Sequence, residues 1–312
     1  MVTLIVGAGF SKWAANLPVA KELFDFAIEP FGVREEKKLS SIREIKASWD
    51  LDHPTDTAEA FIDFAIHQNQ ETSKLVVWYV VRRLSEPYIW KEEHAGKTRR
   101  HVLMLDEHRK DDRPGVKEAQ GFFLGTLDTY LQGVITTNYD LLIEYALSTK
   151  GFNYGVPGES LVGRGAYPVS TWLHPVVLTG QISLAKVHGS ISWDSSAHYT
   201  DGRRGLTGNA LILAPVPDKK AQPELARQWQ LAASLLAKAE QLVVFGFAFN
   251  KYDAEMLDLF RIHSSAVKSV LHIDIKPNNK ALRNIWPHAS IATLPPPPES
   301  ERDIREWLKR AA

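Results

Sequence analysis

The chain has no cysteine among its 312 residues. That excludes disulfides, thiol nucleophiles and every cysteine-ligated metal site. It also lacks net charge, because 37 basic side chains balance 37 acidic ones. No global field therefore draws it to nucleic acid or to an anionic membrane. No basic stripe stands out, so direct nucleic-acid binding is not expected. No apolar run reaches the roughly 18 residues a membrane-spanning helix needs. The first apolar run, Val2 to Val6, leads straight into Gly7-Ala8-Gly9, which is no signal-peptide pattern. A cytoplasmic location without membrane contact is the expectation. No internal repeat is visible, and Pro295 to Pro298 is the one low-complexity patch.

What remains is an ordinary globular composition, 44% hydrophobic, enough for a sizeable core. Val2 to Val6 reads as a fully buried strand, of the kind found inside parallel sheets. Gly7-Ala8-Gly9-Phe10-Ser11 then turns the chain, and a helix is expected after Pro18. Residues 31 to 132 read as helical, with no convincing strand. Thr55 or Thr57 suits the cap of a helix carrying Phe61, Phe64 and Ala65. Lys97 to Pro114 is dense in charge and reads as an exposed connection. From 133 onward strands are expected at Val134–Thr137, Ile182–Val187, Ala210–Leu213, Leu242–Phe245 and Val270–Ile275. Helices are expected at Leu225–Ala239 and Tyr252–Ile262. Alternating strands and helices imply an α/β fold, a Rossmann-like doubly wound parallel sheet. The expected division is a Rossmann-like domain over 1–30 and 133–312, with a helical insertion over 31–132.

Four segments carry chemistry. In the first, a glycine turn between a strand and a helix (Gly7, Ala8, Gly9, Phe10) brings backbone N–H groups close to a diphosphate, and Ser11 adds a hydroxyl. Lys12 stands where the usual dinucleotide fingerprint has a third glycine, so this is not a dehydrogenase pattern. A tight structural turn explains the glycines equally well. The second segment, Thr136-Thr137-Asn138-Tyr139-Asp140, ends a strand, where open α/β sheets bind ligands. Asn138 and Asp140 suit gripping a carboxamide or positioning a water, and equally suit capping a helix over 141–147. The third, Lys186-Val187-His188-Gly189-Ser190, puts a histidine at a strand end, where it can act as general base or be tied into a turn. The fourth runs from Val243 through Gly246 to Phe249, followed by Asn250, Tyr252 and Asp253. Further on, Asp274 near the end of a strand suits ribose hydroxyls, or is simply a solvated residue. His94, His101 and His108 recur at a seven-residue interval. On a helix, successive members would lie about 10 Å apart, too far to share an ion, so no metal is expected.

In that order, Gly-Ala-Gly-x-Ser, Thr-x-Asn-x-Asp, His-Gly-Ser and a late glycine-bearing strand resemble the sirtuin (silent information regulator) family. Leu17-Pro18 is similar to that family's Gly-Ile/Leu-Pro step, with Asn16 in place of the glycine. Leu235 through Asp253 looks most like the bacterial antiphage-defence branch, whose members degrade NAD. The chain departs from the deacylases, which carry a zinc ribbon held by four cysteines and a Phe-Arg pair after the proline. Here no zinc-ribbon module is expected, and Val19-Ala20-Lys21 follows the proline.

The resemblance implies an NAD+ glycohydrolase, with NAD+ as substrate and no metal. Asn138 would position nicotinamide or the attacking water, Asp140 would hold the carboxamide, and His188 would accept a proton. Gly7, Ala8, Gly9, Phe10 and Ser11 would hold the diphosphate, and Gly246 and Asp274 the adenosine half. It also implies regulation, through a homo-oligomer or a separately encoded partner such as a DNA-translocating NTPase or a short Argonaute. An NAD-dependent deacylase or ADP-ribosyltransferase, and a non-catalytic NAD- or ADP-ribose-binding module, are the alternatives.

Overall fold

Val2–Val6 is buried at every position and forms strand β1. A strand that is apolar on both faces belongs in a sheet covered on both sides, and β1 lies at the centre of one. The structure is a computed structural model. It describes residues 1–94, 97–102, 114–147, 152–155, 167–168, 182–194, 210–212, 225–250 and 253–311.

The strands are β2 (Ile89–His94), β3 (Lys97–Val102), β4 (Leu131–Thr136), β5 (Phe152–Asn153), β6 (Tyr167–Pro168), β7 (Ile182–Lys186), β8 (Gly189–Asp194), β9 (Ala210–Ile212), β10 (Gln241–Phe245), β11 (Ser269–Ile273) and β12 (Ser290–Leu294). Seven of them make one sheet in the order β12-β11-β10-β1-β4-β7-β5, and every pairing is parallel. Leu4 lies beside Val243 on one side and Val134 on the other. The helices are α1 (Ala8–Ala15), α2 (Val33–Asp52), α3 (Ala58–Gln68), α4 (Gln70–Ser85), α5 (Val116–Gln120), α6 (Leu142–Leu147), α7 (Ala226–Lys238), α8 (Ala254–His263), α9 (Asn279–Ile285) and α10 (Glu301–Ala311).

Alternation along each strand divides the interior in two. Val2, Leu4, Val6, Val134, Leu184 and Val243 pack on one face, with residues of α1, α5, α6 and α10. Ile5, Ile135, Ala185 and Val244 pack on the other, with α7, α8 and α9. This is the doubly wound α/β layout expected from the sequence. A third apolar cluster joins Leu39 and Ile42 of α2, Phe61 and Ile62 of α3 and Val76 to Val81 of α4.

Several expectations are corrected. The first helix begins at Ala8, directly on the glycine turn, and ends at Asn16, whose φ of 52° closes it in the left-handed region. After Pro18 only a single 3₁₀ turn forms, over Ala20–Glu22. Residues 89–94 and 97–102 pair as antiparallel strands β2 and β3 instead of forming helix or open connection. His94 and His101 therefore lie on paired strands, not on one helix face, and His108 falls outside the described residues. Ala210–Ile212 is a strand, but it joins a separate antiparallel sheet, β6-β8-β9; Leu213 is outside the described residues. The edge strand β12 was not expected.

Candidate active site

The strand order turns back between β1 and β10, since β1 continues to β4 on one side while β10, β11 and β12 lie on the other. In open α/β sheets, ligands bind at the carboxyl ends of the strands beside such a switch point. Gly7 follows β1 there, Gly246 follows β10, Thr137 follows β4 and Val187 follows β7. A cleft of about 920 Å³ opens over these ends. That volume suits a ligand of cofactor size.

The glycines fit there because three backbone segments touch. A Cβ on Gly7 would lie 2.5 Å from the Gly246 carbonyl oxygen, and one on Gly9 would lie 2.7 Å from the Gly246 Cα. Gly246 itself sits at φ +63°. The Gly7 N–H donates to the Phe245 carbonyl, the Gly9 N–H to the Gly246 carbonyl and the Phe10 N–H to the Gly7 carbonyl. Among the described residues, the Ala8 N–H has no acceptor, and Ala8 is exposed in the cleft. The turn therefore offers a ligand the Ala8 amide and the positive end of α1, with the other three amides already used. Phe10 is not a cleft residue. Its ring is fully buried, packing edge-on at 5.1 Å against Phe245 and at 5.6 Å against Phe123.

Ser11, Asn138 and Asp140 form one buried cluster on the cleft floor. The Asn138 Nδ2 donates to the Gly7 carbonyl at 3.0 Å and to Ser11 Oγ at 2.9 Å. Ser11 Oγ donates in turn to Asp140 Oδ2 at 2.8 Å, and Asp140 Oδ1 accepts from the Leu142 N–H at 3.0 Å. Both amide hydrogens of Asn138 are thus spent within the protein, and its Oδ1 is the atom left to meet a ligand as acceptor. Asp140 has each oxygen engaged once, on Ser11 and on the start of α6. Its capping and site-building roles coexist. The geometry makes it the anchor of Ser11 more directly than a grip on a carboxamide.

Beneath this floor lies a buried ion pair. Lys186 Nζ donates to Glu144 Oε1 at 2.7 Å and also to the Asp140 carbonyl, while the Tyr154 hydroxyl donates to the same Glu144 oxygen at 3.1 Å. Lys186 and Glu144 are both fully buried. Burial pushes the Glu144 carboxyl up, against the downward pull of the Lys186 ammonium.

His188 stands on the cleft wall, 3% exposed, with its ring near Tyr139 and Trp229. Its Nε2 lies 3.9 Å from Asp253 Oδ1. Burial pushes the Tyr139 phenol up, and the Asp253 and Glu59 carboxylates add to the shift, so the hydroxyl stays protonated. Asp274 lines the far end, where its Oδ1 accepts the Lys276 N–H at 2.8 Å.

The cleft thus gathers Gly7, Ala8, Gly9, Ser11, Asn138, Asp140, His188, Gly246 and Asp274, and leaves Phe10 in the core. The opposite wall was not anticipated. It comes from the start of α3 (Thr57, Ala58 and Glu59) and from Lys46 of α2. Thr57 caps α3, its Oγ1 accepting the Ala60 N–H at 3.3 Å. Glu59 reads in sequence as an ordinary first-turn acid complementing the helix dipole. Nothing local to it signals the cleft.

Residues 132–258 match the family model of the SIR2-like domain. The matched span, under half of the chain, holds Asn138, Asp140, His188, Gly246 and Asp253. No curated protein matches the chain. Among solved structures, a Sir2 enzyme aligns at 11% identity and a TM-score of 0.44, covering 99% of this chain and 92% of the other. A mutant Sir2 homologue in complex with ADP-ribose aligns at 12% and 0.43, covering 99% and 91%. Sir2 bound to an acetylated peptide aligns at 12% and 0.37, again covering 99% and 91%. Among the described residues, no helix is long and apolar enough to cross a membrane, and no group of three or more His, Asp or Glu side chains could hold a metal ion.

Proposed function

We propose that this protein is an NAD+ glycohydrolase acting in the cleft of its SIR2-like domain. One observation carries the reading. A histidine, an asparagine with a spare acceptor oxygen and an open helix N-terminus meet in one cleft at the switch point of a parallel sheet. The Ala8 amide and the α1 terminus receive the diphosphate, and Asp274 takes hydroxyls of the adenosine half. Asn138 Oδ1 accepts a hydrogen from the carboxamide or from the attacking water.

The bond between ribose C1′ and the nicotinamide nitrogen breaks through an oxocarbenium-like state, and its electron pair leaves with the neutral nicotinamide ring. A water oxygen bonds to C1′ and its proton passes to His188, giving ADP-ribose. General-base help of this kind is worth about 10²–10⁴-fold. No step requires a metal.

In this reading residues 1–30 and 133–312 bind NAD+, and 31–132 is an insertion that closes the other wall of the cleft. A hydrolase that drains NAD needs restraint. We therefore place the protein among cytoplasmic antiphage effectors held in check by self-assembly or by a separately encoded partner, with the insertion as docking surface. The chemistry is tested by running the reaction in ¹⁸O-labelled water. Equal release of nicotinamide and ADP-ribose, with label at C1′, is the expected result. Nicotinamide release that requires an acylated peptide, or ribosyl transfer to protein without label, would replace hydrolysis with group transfer. NAD bound but left intact, both by the chain alone and with a separately encoded partner present, would reduce the site to a binding module.

A further inference from the structure

Asp253 occupies the N-cap of α8, yet its side chain makes no capping hydrogen bond to that helix. Aspartate at this position ordinarily turns its carboxylate onto the second or third helical N–H. Here Oδ1 lies 3.9 Å from His188 Nε2 across the cleft wall, with the Asp253 side chain 17% exposed and that of His188 3% exposed. The segment that delivers it follows β10 and the tight Gly246 turn, so one strand end supplies both the glycine packed on the α1 turn and the carboxylate facing the histidine.

We infer that Asp253 is the positioning residue for His188, fixing the ring in the cleft and raising its affinity for a proton. The inference rests on the hydrolase reading, in which His188 is the general base. A carboxylate this close favours the imidazolium over the neutral ring. Low solvent exposure keeps that attraction from being fully screened. Among the described residues, the rings beside it are the protonated Tyr139 phenol from the segment after β4 and the Trp229 indole from α7, and the Glu59 carboxylate at the start of α3 acts on Tyr139. Asp140 is tied to Ser11 and the start of α6, and Lys186 to Glu144 and the Asp140 carbonyl. Among the described residues, Asp253 is the carboxylate within 4.0 Å of the His188 ring nitrogens. In turnover it would hold the imidazolium formed when water gives up its proton to His188, and the proton itself stays on the histidine.

The test is an NMR pH titration of the His188 ring in the full chain, assigned by difference against His188→Gln, and repeated in Asp253→Asn and Asp253→Glu. Asn caps helices as well as Asp does, so folding is expected to survive. Removing the charge should lower the His188 pKa by about one unit, and Asp253→Glu should restore most of it. A ring that titrates identically in wild type and Asp253→Asn overturns the inference. NAD turnover is the second readout. The base works deprotonated, so activity rises with pH through its pKa, and in Asp253→Asn the acidic limb should move to lower pH while kcat falls more than KM changes. A wild type that leaves NAD intact would sink the hydrolase reading, yet the ring titration would still decide the pairing. A wild type that turns NAD over, with an acidic limb unmoved in Asp253→Asn, would sink the pairing alone.

Discussion

A Cβ placed on Gly246 would lie 2.3 Å from the Phe10 amide nitrogen and 2.5 Å from the Gly9 carbonyl carbon. Both are backbone atoms of the first turn, so neither can swing aside. The positive φ of Gly246 adds to the strain of any larger residue. Gly246→Ala is therefore expected to cost about 2–3 kcal/mol, read as a lower urea midpoint at unchanged m-value, and to weaken NAD binding by shifting the α1 terminus. A second prediction concerns His272 of β11, 1% exposed, whose ring nitrogens have no hydrogen-bond partner among the described residues. Burial holds its pKa below the ordinary 6.5, against the opposing pull of Asp274. Below about 6.5 the unfolded chain takes up this proton and the folded one does not, so the unfolded state binds more protons. The stability tied to His272 is thus complete above that pH and declines as pH falls toward the folded-state value. Urea midpoints measured down an acid series should show that decline, and His272→Gln should flatten it. An unchanged slope in the variant would remove His272 as the cause.

Among the elements, β7 and α6 meet through the Lys186–Glu144 pair, whose remote end holds the Asp140 carbonyl. Removing one partner of a fully buried pair strands the other, at a cost of about 3–5 kcal/mol. Lys186→Met should lose that much stability in denaturant titration, while Lys186→Met with Glu144→Leu should recover most of it. A double variant as unstable as the single one would mean that the lysine's bond to the Asp140 carbonyl matters more than the pairing. The strands that sequence reading found were those buried on both faces, such as Val2–Val6 and Gln241–Phe245, whose apolar runs stand out. Strand β12 escaped because it lies at the sheet edge and is only partly buried along its length, so no fully apolar run marks it. The β2–β3 pair escaped because Lys97–Val102 is charge-dense, which reads as solvated loop. Pro18 is a helix-start signal in the sequence, whereas Gly7 and Asn16 bound the helix that forms.

At the scale of the whole molecule, the parallel sheet followed from alternation of strands and helices, and the switch point then located the cleft. All four motif segments could be tied to it from sequence because each follows a strand: Gly7 after β1, Asn138 after β4, His188 after β7 and Gly246 after β10. What the sequence could not supply was the opposite wall. Thr57 and Glu59 reach the cleft only because residues 33–85 pack as a separate helical cluster above it, and that depends on long-range docking with no local signature. In sequence the glycines suit a ligand contact and a tight turn equally, and the close approach of Gly7 and Gly9 to Gly246 shows the tight packing of the turn.

We propose that NAD is cleaved by the groups on this cleft floor. The most direct measurement incubates the purified chain with NAD and follows nicotinamide and ADP-ribose by chromatography, with His188→Ala and Asn138→Ala in parallel and NAD binding measured for each. Equimolar products are expected from the wild type. A fall of about 10²–10⁴-fold is expected in His188→Ala, and a comparable loss in Asn138→Ala, with NAD still bound by both. Variants that cleave NAD as fast as the wild type would contradict the proposal.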